Sequence, residues 1–133
     1  SSAFTTLNLT VNGDTRVDTG GTMSVNAAGY NSGFVGPGTG NVDLFGEGAG
    51  GGYGGAGGMS YFGAAGGLTY GSSNQPVDYG SPGGVFPNVS GFSQGGGAIR
   101  MTVNGSLTVN GNVSANGADG FVDGSGGGAG GSI

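Results

Sequence analysis

The sequence predicts an all-β chain, a parallel β-solenoid of triangular coils that carries long glycine-rich loops, polyglycine II-like in character. Three observations predict it. Glycine supplies 38 of 133 residues while charged residues supply 7%, far from the balance of an ordinary globular domain and opposite to the charge-rich, aromatic-poor balance of a disordered one. Two segments near the ends repeat one another, as stacked arrays do. Inside each, apolar and polar residues alternate, which is the mark of a strand with one buried face. Collagen is excluded, because glycine does not recur at every third position and only 4 prolines are present.

The first coil is expected over 7–28, where the chain reads LNLTVNGDTRVDTGGTMSVN from Leu7 to Asn26. The second is expected over 98–117, where Ile99 to Asn116 reads IRMTVNGSLTVNGNVSAN. Aligned on TVNG, the copies match Leu7 with Ile99, Leu9 with Met101, Val11 with Val103, Val17 with Val109 and Met23 with Val113, given a two-residue slip at Gly20-Gly21. In the second copy Ile99, Met101 and Val103 face inward, and Leu107, Val109, Val113 and Ala115 resume the inward line after Asn104-Gly105 and Asn110-Gly111. Asn-Gly between alternating runs also suits a tight antiparallel hairpin. Strands this short would bury little in such a meander. In a solenoid the same corners bend the chain one way, and each strand pairs with its equivalent in the next coil.

Between the copies, 29–97 is read as a glycine- and aromatic-rich insertion with further strands, holding ten of the 12 aromatic residues. Glycine clusters lead into strand-like residues at Met59, at Ala98-Ile99 and at Ser132-Ile133. Such clusters serve as returns, and glycine lets backbones approach closely enough to stack as polyglycine II. The final stretch, 118–133, is a return toward a next strand. Unpaired strands at both ends of the stack then favour self-association or continuation by neighbouring repeats.

The order VNGSLTVNGNVSANGADG followed by GGGAGGSI, and preceded by YGSSNQPVDYGSPGG and GGGAIRMTVNG, resembles the glycine-rich β-helix repeats of large bacterial surface, adhesin-like proteins. The resemblance implies export to the cell surface, a solenoid fold and a structural or adhesive role, with no catalytic residues to carry over. A second likeness is to glycine-rich phage tail-tip adhesins with polyglycine II sandwiches, from which the long VNG strands depart.

Composition narrows the chemistry. There is no histidine or cysteine, and the cations are Arg16 and Arg100 against seven carboxylates, for a net charge of −5. Nucleic acid and anionic membranes are therefore poor partners, thiolate and imidazole metal sites are absent, and Ser-His-Asp or Cys-His catalysis is impossible. No apolar run approaches the length of a membrane span. Carboxylates remain as the catalytic chemistry available, in the sets Asp14/Asp18, Asp43/Glu47, Asp78 and Asp119/Asp123, but they sit in turn-like surroundings where Asp bends the backbone. An enzyme is not expected. No cofactor is expected either, calcium on Asp119 and Asp123 being the metal alternative. For ligand binding the candidates are Tyr30, Phe34, Tyr53, Tyr70 and Tyr79, flat rings beside glycine that suit a sugar; the competing role for them is to fill space between loops and solenoid. Outward Thr10, Thr102, Thr108 and Ser114 make an imperfect array for ice. The expected function is an extracellular structural or adhesive module associating end to end, with a glycan- or cell-surface-ligand-binding module as its alternative.

Overall fold

The computed structural model describes residues 4–31, 36–85, 93–121 and 123–133. Among these the chain is all-β and forms no helix. Its strands are β1 (Thr6–Val11), β2 (Thr15–Val17), β3 (Thr22–Ser24), β4 (Ala98–Val103), β5 (Leu107–Val109) and β6 (Asn112–Ser114). They form parallel pairs, β1 with β4, β2 with β5 and β3 with β6.

The register follows the internal repeat. Leu7 lies opposite Ile99, Leu9 opposite Met101, Val11 opposite Val103, Val17 opposite Val109 and Met23 opposite Val113. The separation is 99 − 7 = 92 residues in the first pair and 113 − 23 = 90 in the third. Gly20-Gly21 absorbs the difference. Gly20 takes a φ of 85°, which a Cβ would oppose, and the Gly21 N–H closes the turn on the Asp18 carbonyl at 2.8 Å. The Asn-Gly pairs therefore do not close hairpins: the strands they separate pair with partners some 90 residues away.

Side chains stitch the corners vertically. The Asn104 amide donates to Asn12 Oδ1 at 2.9 Å, the Ser106 N–H donates to Asp14 Oδ1 at 2.8 Å, and the Asn116 N–H donates to Asn26 Oδ1 at 2.8 Å. Each bond joins residues 90 or 92 apart, so short polar side chains that ordinarily bend a chain locally here tie one copy of the repeat to the other.

A narrow core of Val25, Ile99 and Ala115, flanked by Leu7, Ala28, Met101 and Val113, lies beneath β1, β3, β4 and β6. Val17 is buried as well. Val109 and Leu107 depart from the inward assignment. Both are 45% exposed: β5 is a three-residue strand bonded to β2, and neither residue packs in that cluster. An Asp at Val109 should therefore cost much less than one at Ile99.

The glycine-rich segments bond by a different rule. Gly48 and Gly51 donate to Gly124 and Gly127; Gly67 and Tyr70 donate to Gly50 and Tyr53; Gly80 and Gly83 donate to Gly96 and Ser93; Ala129 and Gly126 donate to Ser81 and Gly84. Every pair advances by three residues, with some segments parallel and others antiparallel. That is the step of an extended threefold helix, which has no bonds within itself and must satisfy its backbone on its neighbours. A Cβ built on Gly67 would overlap the Gly38 carbonyl, and one on Gly95 the Gly80 carbonyl. Within 29–97 the strand-like pairing among described residues is the antiparallel bridge between Val42 and Gly48.

Near the chain's last residues, Ser132 pairs in parallel with Ala98 on the edge of β4 facing away from β1. The Ile99 N–H donates to the Ser132 carbonyl at 2.9 Å, and the Ser132 N–H to the Gly97 carbonyl at 3.1 Å. The glycine-rich return thus leads into strand pairing at Ser132.

Candidate functional site

Four of the five tyrosine and phenylalanine candidates lie among the described residues, and the structure uses them as internal ties. Phe34 lies outside those residues. Tyr30 and Tyr79 pack on Phe4 at centroid distances of 4.8 and 5.4 Å and on each other at 5.8 Å, and the Tyr79 hydroxyl lies 2.8 Å from Thr6 Oγ1 at the start of β1. Tyr53 and Tyr70 meet edge to face at 5.2 Å. The Tyr53 hydroxyl lies 2.6 Å from Ser132 Oγ, which donates to the Asp78 carbonyl at 2.5 Å. Tyr70 donates to the Tyr79 carbonyl and accepts from Ser81 Oγ at 2.8 Å, while that same Oγ accepts the Gly38 N–H at 3.0 Å. Burial pushes the Tyr70 phenol up to about 12, with Tyr30, Asp78 and Tyr53 adding to the rise against the Ser81 bond. These rings join glycine segments to one another and to β1.

A different group of apolar side chains is presented to solvent. Leu44 is fully exposed, Tyr61 89% and Phe45 72%, with Met59 and Phe62 beside them. Phe45 and Phe62 stack at 4.5 Å, and Tyr61 meets Phe62 at 4.9 Å. They sit on two turns held as one body by Asp43. Its Oδ1 accepts the N–H groups of Phe45 and Glu47, both at 2.9 Å, and its Oδ2 accepts the Ser60 hydroxyl at 2.6 Å. Ser60 Oγ in turn accepts the Ala64 N–H at 2.9 Å. Desolvation works to raise the Asp43 carboxyl, but the bonds from Ser60 and from the Glu47, Phe45 and Gly46 backbone outweigh it, so it lies below the ordinary carboxylate value. Gly46 and Gly63 close the turns with φ near 90°. The Gly48 N–H bonds to the Gly124 carbonyl at 2.5 Å, which joins the first turn to a further turn at 123–124. Between the first two turns lies a cleft of about 440 Å³, lined by Phe45, Phe62 and Leu44 with Asn41 and Asp43.

Sequence reasoning passed over this cluster because an exposed Phe and a buried one look alike in a residue string. A local signal exists. Leu44-Phe45 and Tyr61-Phe62 are apolar pairs placed inside Asp…Gly and Ser…Gly turns, where polar residues normally stand.

The carboxylates are dispersed or occupied. Asp14 caps a corner, Asp43 clamps the two turns, and Asp18 pairs with Arg16 at an exposed site where such a pair adds little. Asp119 and Asp123 are exposed, and among the described residues no group of three or more metal-ligating side chains is assembled. No helix among them is long and apolar enough to cross a membrane. Comparison of the chain with family models, with curated proteins and with solved structures finds no match.

Proposed function

We propose that this chain is a non-catalytic structural and adhesive module of an extracellular or cell-surface assembly: two coils of a parallel β-solenoid, braced by a polyglycine II-like lattice and associating end to end. The observation that carries the reading is that all three strand pairs are parallel and join equivalent strands of the two repeat copies, 90 or 92 residues apart. A layer that repeats with the same apolar line and the same corner amides gives stacking a defined direction, and further layers extend it. A net charge of −5 spread over 133 residues offers little repulsion against association. The three-residue bonding of the glycine segments supports rigidity, since those backbones are satisfied by neighbours and have little freedom left.

Electron microscopy of the purified protein tests the reading. End-to-end filaments are the expected result; particles that stay monomeric at every concentration and are retained on a glycan array overturn it.

A second reading is favoured by the apolar cluster at Leu44, Phe45, Met59, Tyr61 and Phe62. Exposed patches of this kind on a preorganised pair of turns are binding surfaces more often than accidents. With Asp43 and Glu47 beside it and Arg16 and Arg100 on β2 and β4, this surface suits an uncharged ligand such as a glycan on another cell. Replacing Phe45 and Phe62 by Ala should then abolish retention on glycans without lowering Tm; unaltered retention would remove this reading.

A further inference from the structure

We infer that the cavity lined by Tyr53 and Tyr70 is a binding site for a single uncharged pyranose ring, stacked on the tyrosines and held at its rim by the hydroxyls of Thr69, Ser72 and Ser73. The inference does not rest on end-to-end association, and the cavity shares no lining residue with the cleft at Phe45 and Phe62.

The glycine lattice builds the floor. Gly67 and Tyr70 donate their N–H groups to the carbonyls of Gly50 and Tyr53 at 2.9 and 2.8 Å. Residues three apart share a face of an extended threefold helix, so this register sets Tyr53 and Tyr70 side by side, and their rings meet at 5.2 Å. Both rings are fixed at their hydroxyl ends, Tyr53 by Ser132 and Tyr70 by Ser81 and the Tyr79 carbonyl. A glycine follows each tyrosine. At Gly54 a Cβ would meet open space, and at Gly71, where φ is 87°, one would stand 2.6 Å from Tyr53 Cε2. With no side chain at either position, the rings line a cavity of about 290 Å³.

The rim states what fits. Thr69 is exposed, and its hydroxyl bonds to no described residue. Ser72 Oγ accepts the N–H groups of Asn74 and Gln75 at 3.3 and 3.1 Å, which fixes the turn and leaves its proton free to donate. Ser73 is exposed and holds a long bond to Asn74 Oδ1, at 3.4 Å. Hydroxyls around a fixed aromatic floor suit a ligand with an apolar C–H face and hydroxyls at its edge, because the negative face of a phenol ring attracts C–H dipoles. A pyranose has that shape. Neither arginine lines the cavity, and Asp78 Oδ2 lies 3.4 Å from where a Cβ on Gly71 would stand, so an anionic sugar is disfavoured. The volume falls just below the roughly 300–1,000 Å³ of sites for drug-sized ligands, which is room for one ring and not for a chain.

A site for one ring binds in the millimolar range, too weakly to survive the washing of an array, so the test is made in solution. The probes are methyl β-D-galactopyranoside and methyl α-D-glucopyranoside, titrated into the full chain and followed by backbone amide shifts. Sodium glucuronate and choline chloride are the charged controls, choline because aromatic faces also take cations. Saturable shifts at the Gly54, Gly71 and Ser73 amides are expected with a neutral glycoside, weaker or absent with both controls. Gly54→Val places its side chain in open space at the cavity; it should keep Tm and abolish the shifts. Thr69→Val should weaken binding several-fold, and decides the matter if Gly54→Val does not fold. Replacing Phe45 and Phe62 by Ala should leave glycoside binding unchanged. No saturable shifts with either glycoside at large excess, tighter binding of glucuronate or choline, parental affinity in the folded variants, or shifts lost with Phe45 and Phe62 each overturn the inference. Filaments without glycoside binding remove this site and leave end-to-end association standing, while glycoside binding without filaments does the reverse.

Discussion

At the scale of single residues, the paired sets differ at one telling corner. Asn26-Ala27 occupies the place that Asn116-Gly117 takes 90 residues later, and Ala27 adopts a φ of 50°. For a residue with a Cβ this left-handed conformation costs about 1–2 kcal/mol. Glycine relieves that strain but loses about 0.4–1 kcal/mol through the greater freedom of its unfolded chain. The strain is the larger effect, so Ala27→Gly should stabilise the protein by roughly 0.5–1 kcal/mol, read as a rise in denaturant midpoint; a fall would show that the corner holds Ala27 without strain. Tyr70 offers a second residue-level outcome. Its folded pKa of about 12 lies above the ordinary tyrosine value of 10.0, so folding favours the neutral phenol. The unfolded state releases the proton first as pH rises. The contribution is thus complete below pH 10 and is lost progressively from there up through the folded value. Unfolding followed across that window should show stability falling with pH, and Tyr70→Phe should flatten the fall while lowering stability at neutral pH by about 1 kcal/mol through its lost bonds to Tyr79 and Ser81.

Among the elements, the strands and the glycine segments fail in different ways. In the lattice, a methyl group at Gly67 has nowhere to go, since the Gly38 carbonyl and the Gly52 backbone occupy its place, whereas Gly54 faces open space. Gly67→Ala should therefore cost about 3 kcal/mol or more, the range of severe overpacking, while Gly54→Ala should be neutral or slightly stabilising; equal effects at the two sites would mean that the segments are not close-packed. The same contrast explains what could be read from the string of residues. Strand pairing was legible to the residue, because Leu7, Leu9, Val11, Val17 and Met23 each have an apolar counterpart in the second copy and the slip at Gly20-Gly21 is visible as two extra letters. The burial of β5 was not, because alternation gives the face on which Val109 lies and says nothing of how much covers it. The lattice partners were illegible for a deeper reason: glycine has no side chain to carry a pattern, so nothing in the sequence distinguishes a glycine that meets Gly38 from one that meets water. The tyrosines stood out as candidates beside glycine, but their hydroxyl partners, such as Ser132 and Ser81, lie far away in sequence and were not legible. The apolar turns around Asp43 were missed because their meaning depends on exposure.

For the whole molecule, the consequential fact is that both systems share their ties. Strand residues from the two ends meet each other, and the glycine segments between them are fastened to those strands through Tyr79 at Thr6, Tyr53 at Ser132, and the Gly97 N–H on the Val25 carbonyl at 2.8 Å. The parallel pairs join strands 90 or 92 residues apart in sequence, and loop-closure entropy must be overcome before those contacts give any return. A partly folded chain with strands paired and lattice loose would bear most of that entropy with few of the bonds. Unfolding should therefore be a single transition, and refolding should be slow, in the millisecond-to-second range or beyond that non-local β pairing imposes. Tyrosine fluorescence reports the lattice and far-ultraviolet circular dichroism reports the backbone. Their midpoints should coincide, as two-state behaviour requires, and Tyr53→Phe should shift both together. Two separated transitions, with fluorescence lost before dichroism, would mean that the glycine lattice is an appendage of the strands and does not brace them, and the stiffness assigned to the module would then have to come from the six short strands alone.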